Sequence, residues 1–285
     1  MPGDQIADRH PLAAMASPSA PTTVESMPQP SPRRGEGPIS GGDSARLAVL
    51  GGFRFWEHEK VLVTLTAGSQ RLLAFLALRT QAVRREQTAG TLFPAASERH
   101  AYASLRSTLA RLDPRARHSV LATFTELCLE EGVSVDLRDA RALAHRILGS
   151  APTLQEADLD DTAVSVLGND LLPGWYDEWV LVEAEDWRQL RLHALEALTA
   201  RLLDMERYGN ASAAALAAIR AEPLRESARG ALIRVHQAEG NQSEAIREYD
   251  RYCRLLQAEL GLQPTARLRG QLTATDASSD PRSSR

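Results

Sequence analysis

The side chains with the clearest chemical potential in this sequence lie on one short stretch. In "ERHAYASLRSTLARL", residues 98–112, Arg99, His100, Ser104, Arg106, Ser107 and Arg111 are polar, and no acid follows Glu98. A guanidinium is a planar fork of donors that grips phosphate, carboxylate or the edge of a guanine in pairs of hydrogen bonds. The serine hydroxyls and the imidazole add neutral donors and acceptors. The small residues at 103, 104, 107 and 110 leave room for a large partner to come close. Arg84 and Arg85, in "VRREQTAGTLF", supply a second basic pair upstream. This is chemistry for holding an anion or a polar edge. The face meets water, another protein or a phosphate backbone.

The elements that position these groups are legible around them. Tyr102, Leu105, Leu109 and Leu112 recur at steps of three and four, the mark of an amphipathic helix. Ser97 is its expected cap, and Pro114 lies beyond its end. "RLAVLGGFRFW" and "KVLVTL" read as strands. "TAGSQRLLAFLALRT" reads as a first helix capped by Ser69, and "VRREQTAGTLF" as a second, ended by Pro94. "VLATFTELCLEEG" and "VSVDL" read as a closing hairpin. Strands, three short helices and a hairpin are the order of a winged helix-turn-helix with an N-terminal sheet. In such folds the second helix of the motif enters the major groove of DNA while its partner crosses the backbone. Helix 97–112 is therefore expected to carry base and phosphate contacts, and Arg84 and Arg85 to reach the backbone. The alternative is a solvated face with arginines spaced for solubility.

Charge separates along the chain. Residues 46–125 hold 12 basic against 5 acidic side chains, and residues 126–285 hold 18 against 27. The first block can face nucleic acid and the second cannot on charge. Lys60 is the only lysine. Residues 1–45 are rich in Pro, Ser and Gly with few large apolar side chains, too little to offset ordering entropy, and read as a disordered tail. Residues 271–285 read likewise.

From Leu181 to about Ala258 the pattern is helical, with turns expected at Gly209-Asn210, Glu222-Pro223 and Gly240-Asn241. "GNASAA" at 209–214 returns as "GNQSEA" at 240–245, a shift of 31 residues, close to the 34 of tetratricopeptide arrays. Such units stack because none buries its own apolar face. A plain bundle fits the same helices. Asn210-Ala211-Ser212 and Asn241-Gln242-Ser243 match a glycosylation pattern, but their place in the repeat explains them as turn and cap residues. Trp175, Tyr176, Trp179 and Trp187 crowd one segment and fit either a ligand pocket or the packing of one helix on the next. Packing at the entry to the helical array is the expectation.

Catalytic signatures are missing: no Gly-rich phosphate loop, HExxH, GxSxG elbow or kinase motif set, and the histidines do not cluster. No enzyme, metal or cofactor is expected. Cys128 and Cys253 read as free, partly buried thiols. With no apolar run near the length of a membrane span and no signal pattern, the chain is read as cytoplasmic, without membrane contact.

"SQRLLAFLALR", "RREQTAGTLFP", "ASLRSTLARLD", "VSVDLRDARALAHRIL", "LLPGWYDEWVLVEAEDWRQLRLHALEAL" and "AEPLRESARGALIRVHQAEGNQSEAIREYDRYCRLLQAELGLQPT" resemble the Streptomyces antibiotic regulatory protein family over about residues 46–270. Members usually carry Trp where Phe93 stands, and a Gly-Tyr pair in the wing where this chain reads "ELCLEEG". The resemblance implies a mainly α chain: an OmpR-like winged helix-turn-helix domain with small β-sheets at 46–135, then an all-α, tetratricopeptide-like bacterial transcriptional activator domain at 136–270. It further implies an activator of a secondary-metabolite or other specialised operon that binds promoter repeats in double-stranded DNA, commonly as a homodimer, and contacts RNA polymerase. The reading from a different class is a helical-repeat scaffold whose winged helix no longer binds DNA.

Overall fold

The computed structural model describes residues 45–57, 61–149 and 155–273. Most of the two expected tails, residues 1–44 and 274–285, lies outside the described residues, as does Lys60. Three strands open the fold: β1 (Arg46–Ala48), β2 (Arg54–Glu57) and β3 (Val61–Leu62). Helix α1 (Ala67–Ala77), β4 (Val83–Arg84), α2 (Arg85–Leu92), α3 (Glu98–Ala110) and the one-turn α4 (Pro114–Arg117) follow. Then come β5 (Val120–Ala122), β6 (Glu126–Leu129) and β7 (Ser134–Val135). The remainder is helical: α5 (Asp136–Leu148), a 3-10 turn at Glu156–Leu159, α6 (Asp161–Leu167), α7 (Glu178–Asp204), α8 (Tyr208–Ala221), α9 (Glu226–Ala238), α10 (Gln242–Leu260) and α11 (Ala266–Thr273).

The N-terminal sheet has the order β3-β2-β1-β7, and the wing sheet β4-β6-β5. Strand alternation sets their faces: Leu47, opposite both Phe55 and Val135, is buried with them in the core. The expected closing hairpin is corrected here. The hairpin lies wholly within "VLATFTELCLEEG", as β5 and β6, whereas Ser134 and Val135 of "VSVDL" run parallel to β1 in the other sheet. Burial of Val133 and Val135 drives this, and the Asp136 carboxylate locks it by accepting from the Val49 and Leu50 amides at 2.9 and 3.1 Å. The cap of α1 is also corrected. Thr66 takes that place, its hydroxyl accepting from the Ser69 amide, because the chain is already helical at Ala67 and the Ser69 side chain is buried.

The helical repeat has a period of 34, not 31. Glu206 and Gly240 both take the left-handed conformation, at φ 59° and 82°. Their amides donate to Leu203 and Gln237, and those of Arg207 and Asn241 to Leu202 and His236, each pair 34 residues apart. Ala211 and Ala245, also 34 apart, are both fully buried. The turn expected at Gly209-Asn210 therefore lies at Met205–Arg207, and Gly209 and Asn210 sit in the first turn of α8. Glu206 occupies a place that glycine fills without strain, so the letters "GN" align one copy three residues out of step with the backbone.

A single apolar cluster runs from Leu47 to Val235, with a second around Tyr252 and Leu268 under α10 and α11. The tryptophans explain the continuity. Trp179 at the start of α7 meets Phe75 of α1 edge to face, ring centroids 5.4 Å apart, and Trp175 stacks on Phe53 at 6.1 Å. They pack the helical array onto the winged-helix part rather than one repeat onto the next. Trp187 is buried and donates to the Asn169 carbonyl. Around the aromatic contacts Arg71 pairs with Asp177, and Glu183 takes Arg79 at 2.5 Å and Arg141 at 2.8 Å. Two of the basic side chains in block 46–125 are thus spent on this junction. Cys128 and Cys253 are unpaired and half-buried. No helix among the described residues is long and apolar enough to cross a membrane.

Candidate nucleic-acid interface

Helix α3 divides into three stripes. Ala101, Leu105 and Leu109 are buried with Leu112 just beyond. Arg99, Ala103, Arg106 and Ala110, spaced i, i+4, i+7 and i+11, form one exposed line. His100, Ser104, Ser107 and Arg111 form the other, the two serines half-buried and the outer pair exposed. Ser97 starts the helix as expected, but its hydroxyl meets His100 Nδ1 at 2.8 Å rather than a backbone amide.

The eight side chains singled out from sequence fall into two groups. Arg84, Arg85, Arg99 and Arg106 converge on one open hollow of about 940 Å³, between the start of α2, α3 and the tip of the β5–β6 wing. Phe124, Thr125 and Tyr102 complete its wall, with Glu86, Glu98 and Glu126 among the arginines. Arg85 and Arg106 continue into a second hollow of about 430 Å³ bordered by Arg117 and His118. His100, Ser104, Ser107 and Arg111 line neither hollow and occupy the far side of the exposed surface of α3.

Sequence reasoning missed Arg117, His118 and the wing tip. Arg117 was visible only as part of the charge of its block, and Phe124 only as an apolar residue between two threonines at a hairpin turn.

The arginines differ in what they are free to do. Arg85 braces the wing: its Nε donates to the Thr123 carbonyl at 2.9 Å and its amide to the Thr125 carbonyl at 2.8 Å. Arg84, Arg99, Arg106 and Arg111 make no side-chain ion pair or hydrogen bond among the described residues. Partial burial and the neighbouring Glu86 carboxylate hold the Tyr102 hydroxyl above the usual phenol range, which keeps it a neutral donor.

Several arginines of the helical block are instead committed to acids. Arg188 pairs with Glu185 and Glu222, Arg225 with Glu196, and Glu248 takes both Arg229 and Arg251. No cluster of three or more His, Cys, Asp or Glu side chains fit to hold a metal occurs among the described residues.

A winged helix-turn-helix with uncommitted arginines, fused through one core to 34-residue helical repeats, defines a winged-helix regulator with a helical-repeat partner block. Residues 135–273 match the family model of the bacterial transcriptional activator domain. The chain is 30% identical over 233 residues to the regulatory protein AfsR of Streptomyces coelicolor, a match that covers 77% of this chain and 23% of that protein. Among solved structures it is similar to Mycobacterium tuberculosis EmbR in complex with a low affinity phosphopeptide, with a TM-score of 0.55. That likeness covers 84% of this chain and 66% of the other at 18% identity, and it is a likeness of fold. The chain thus spans less than a quarter of AfsR. Together these likenesses support a regulator of the Streptomyces antibiotic regulatory protein type.

Proposed function

We propose that this chain is a DNA-binding transcriptional activator of a secondary-metabolite or other specialised operon. In this reading α3 lies in the major groove, with Arg99 and Arg106 toward base edges or phosphates. Arg84 reaches the backbone, and Arg85 holds the wing beside it. The observation that carries the reading is the convergence of Arg84, Arg85, Arg99 and Arg106 on one open hollow, while Arg188, Arg225 and Arg229 of the helical block are paired with the chain's own acids. The acidic helical block supplies contacts to RNA polymerase and to a second copy on adjacent promoter repeats, since its charge disfavours a phosphate partner.

The test is a mobility-shift titration of the full chain on its own upstream DNA at two salt concentrations. Counterion release lowers log affinity by about 0.9 per phosphate contact for each decade of salt. With Arg84, Arg99 and Arg106 each on a phosphate, a fourfold rise in salt weakens binding about fortyfold. Affinity that does not respond to salt refutes the phosphate contacts. Failure to bind any duplex leaves the helical-repeat scaffold as the function.

A further inference from the structure

Phe124 is the most exposed large apolar side chain among the described residues, at 97%. It sits at the apex of the wing, and the apex is not loose. The Thr123 amide donates to the Glu126 carbonyl at 3.0 Å, and the Glu126 amide to the Thr123 hydroxyl at 3.0 Å. The side chain and amide of Arg85 fasten the carbonyls on either side of the ring, those of Thr123 and Thr125. A rigid turn therefore holds a phenyl ring out in water, where an apolar surface is costly to leave. Leu121, on the strand behind it, is 48% exposed. The ring borders the same hollow as Arg84, Arg99 and Arg106, none of which is paired with the glutamates there, so a partner that sets negative charge against the arginines and an apolar slot against the ring fits this face. Duplex DNA offers both: phosphates at the groove edges, and a stack of bases that an apolar side chain can part.

We propose that Phe124 is a wedge that enters the minor groove, partly unstacks one base step and bends the duplex. Pyrimidine–purine steps open most easily, so the wedge gives the protein a preference for such a step at a position where no hydrogen bond reads a base. This rests on the DNA-binding reading and adds to it a specificity-determining residue outside α3.

The experiment uses the full chain and a duplex that it selects from a random-sequence pool. 2-Aminopurine is placed at successive positions of that duplex, and dyes at its ends report bending by energy transfer. Wild type raises 2-aminopurine emission at one step and shortens the end-to-end distance. Phe124→Ala keeps the circular dichroism of wild type, abolishes the rise in emission, returns the energy transfer toward that of free DNA and weakens binding about tenfold. Phe124→Leu, which retains an apolar wedge, keeps part of each signal. Emission and bending equal to wild type in Phe124→Ala overturn the wedge and leave the DNA-binding reading standing. Equal emission and bending together with lost transcription place the ring on a protein of the transcription machinery and likewise overturn it. A wild-type chain that selects no duplex overturns both.

Discussion

Trp179→Ala is the sharpest test of how the two parts of the chain are joined. The indole is 8% exposed and lies edge to face on Phe75, so truncation removes a large buried side chain and leaves a cavity between α1 and α7. Such truncations cost about 3–5 kcal/mol, which includes the aromatic contact. One effect runs the other way. The Nε1–H of Trp179 is buried without a hydrogen-bond acceptor, a state that costs about 1–3 kcal/mol and that alanine relieves. The net loss is centred on about 2 kcal/mol. For a unit of this size that lowers Tm by about 4–8 °C. Trp179→Phe keeps a ring against Phe75 and discards the orphaned donor, so its stability stays within about 1 kcal/mol of wild type. Urea denaturation and a thermal melt of the full chain measure both variants. A loss below about 1 kcal/mol for Trp179→Ala, or equal losses for the two variants, refutes the account of this junction.

Glu206→Gly should stabilise the chain by about 0.5–1 kcal/mol in urea, because the left-handed strain it removes exceeds the unfolded-state entropy it adds. Arg106→Ala should weaken DNA binding with an unchanged melting curve, whereas Leu105→Ala, buried on the opposite stripe of α3, should cost about 2–5 kcal/mol of stability. The Arg146 guanidinium, at 2.7 Å, holds the Asp158 carboxyl below the usual carboxylate range. A depressed acid stabilises the fold above its unfolded pKa of about 4 and loses that contribution as pH falls through the lower folded value. The stability gap between wild type and Arg146→Ala should therefore be full at neutral pH and shrink below about pH 4, as followed by urea melts across pH.

The sequence determined its local elements. The three- and four-step spacing of Leu105, Leu109 and Leu112 made α3 legible, and with it the two outward stripes, because a helix fixes the direction of each side chain from spacing alone. The order of strands and helices identified the winged helix, and the helical run from α7 onward identified a repeat. What spacing could not supply was anything set by groups distant in the chain. "VSVDL" was as good a strand for the hairpin as for the N-terminal sheet. The choice fell to burial of Val135 and to the amides of Val49 and Leu50, more than 80 residues away, on Asp136. The period of the repeat was hidden because the left-handed position is a backbone requirement, met by Gly240 in one copy and borne by Glu206 in the other. Trp175 and Trp179 announced packing, but only the tertiary structure supplied Phe53 and Phe75 as their partners. The arginines tell the same story. Arg71, Arg79, Arg84, Arg99 and Arg106 are equal in a charge count, yet the fold spends the first two on Asp177 and Glu183 and leaves the others facing out beside the wing. Charge is a property of composition, and availability is decided by which surfaces the core brings together.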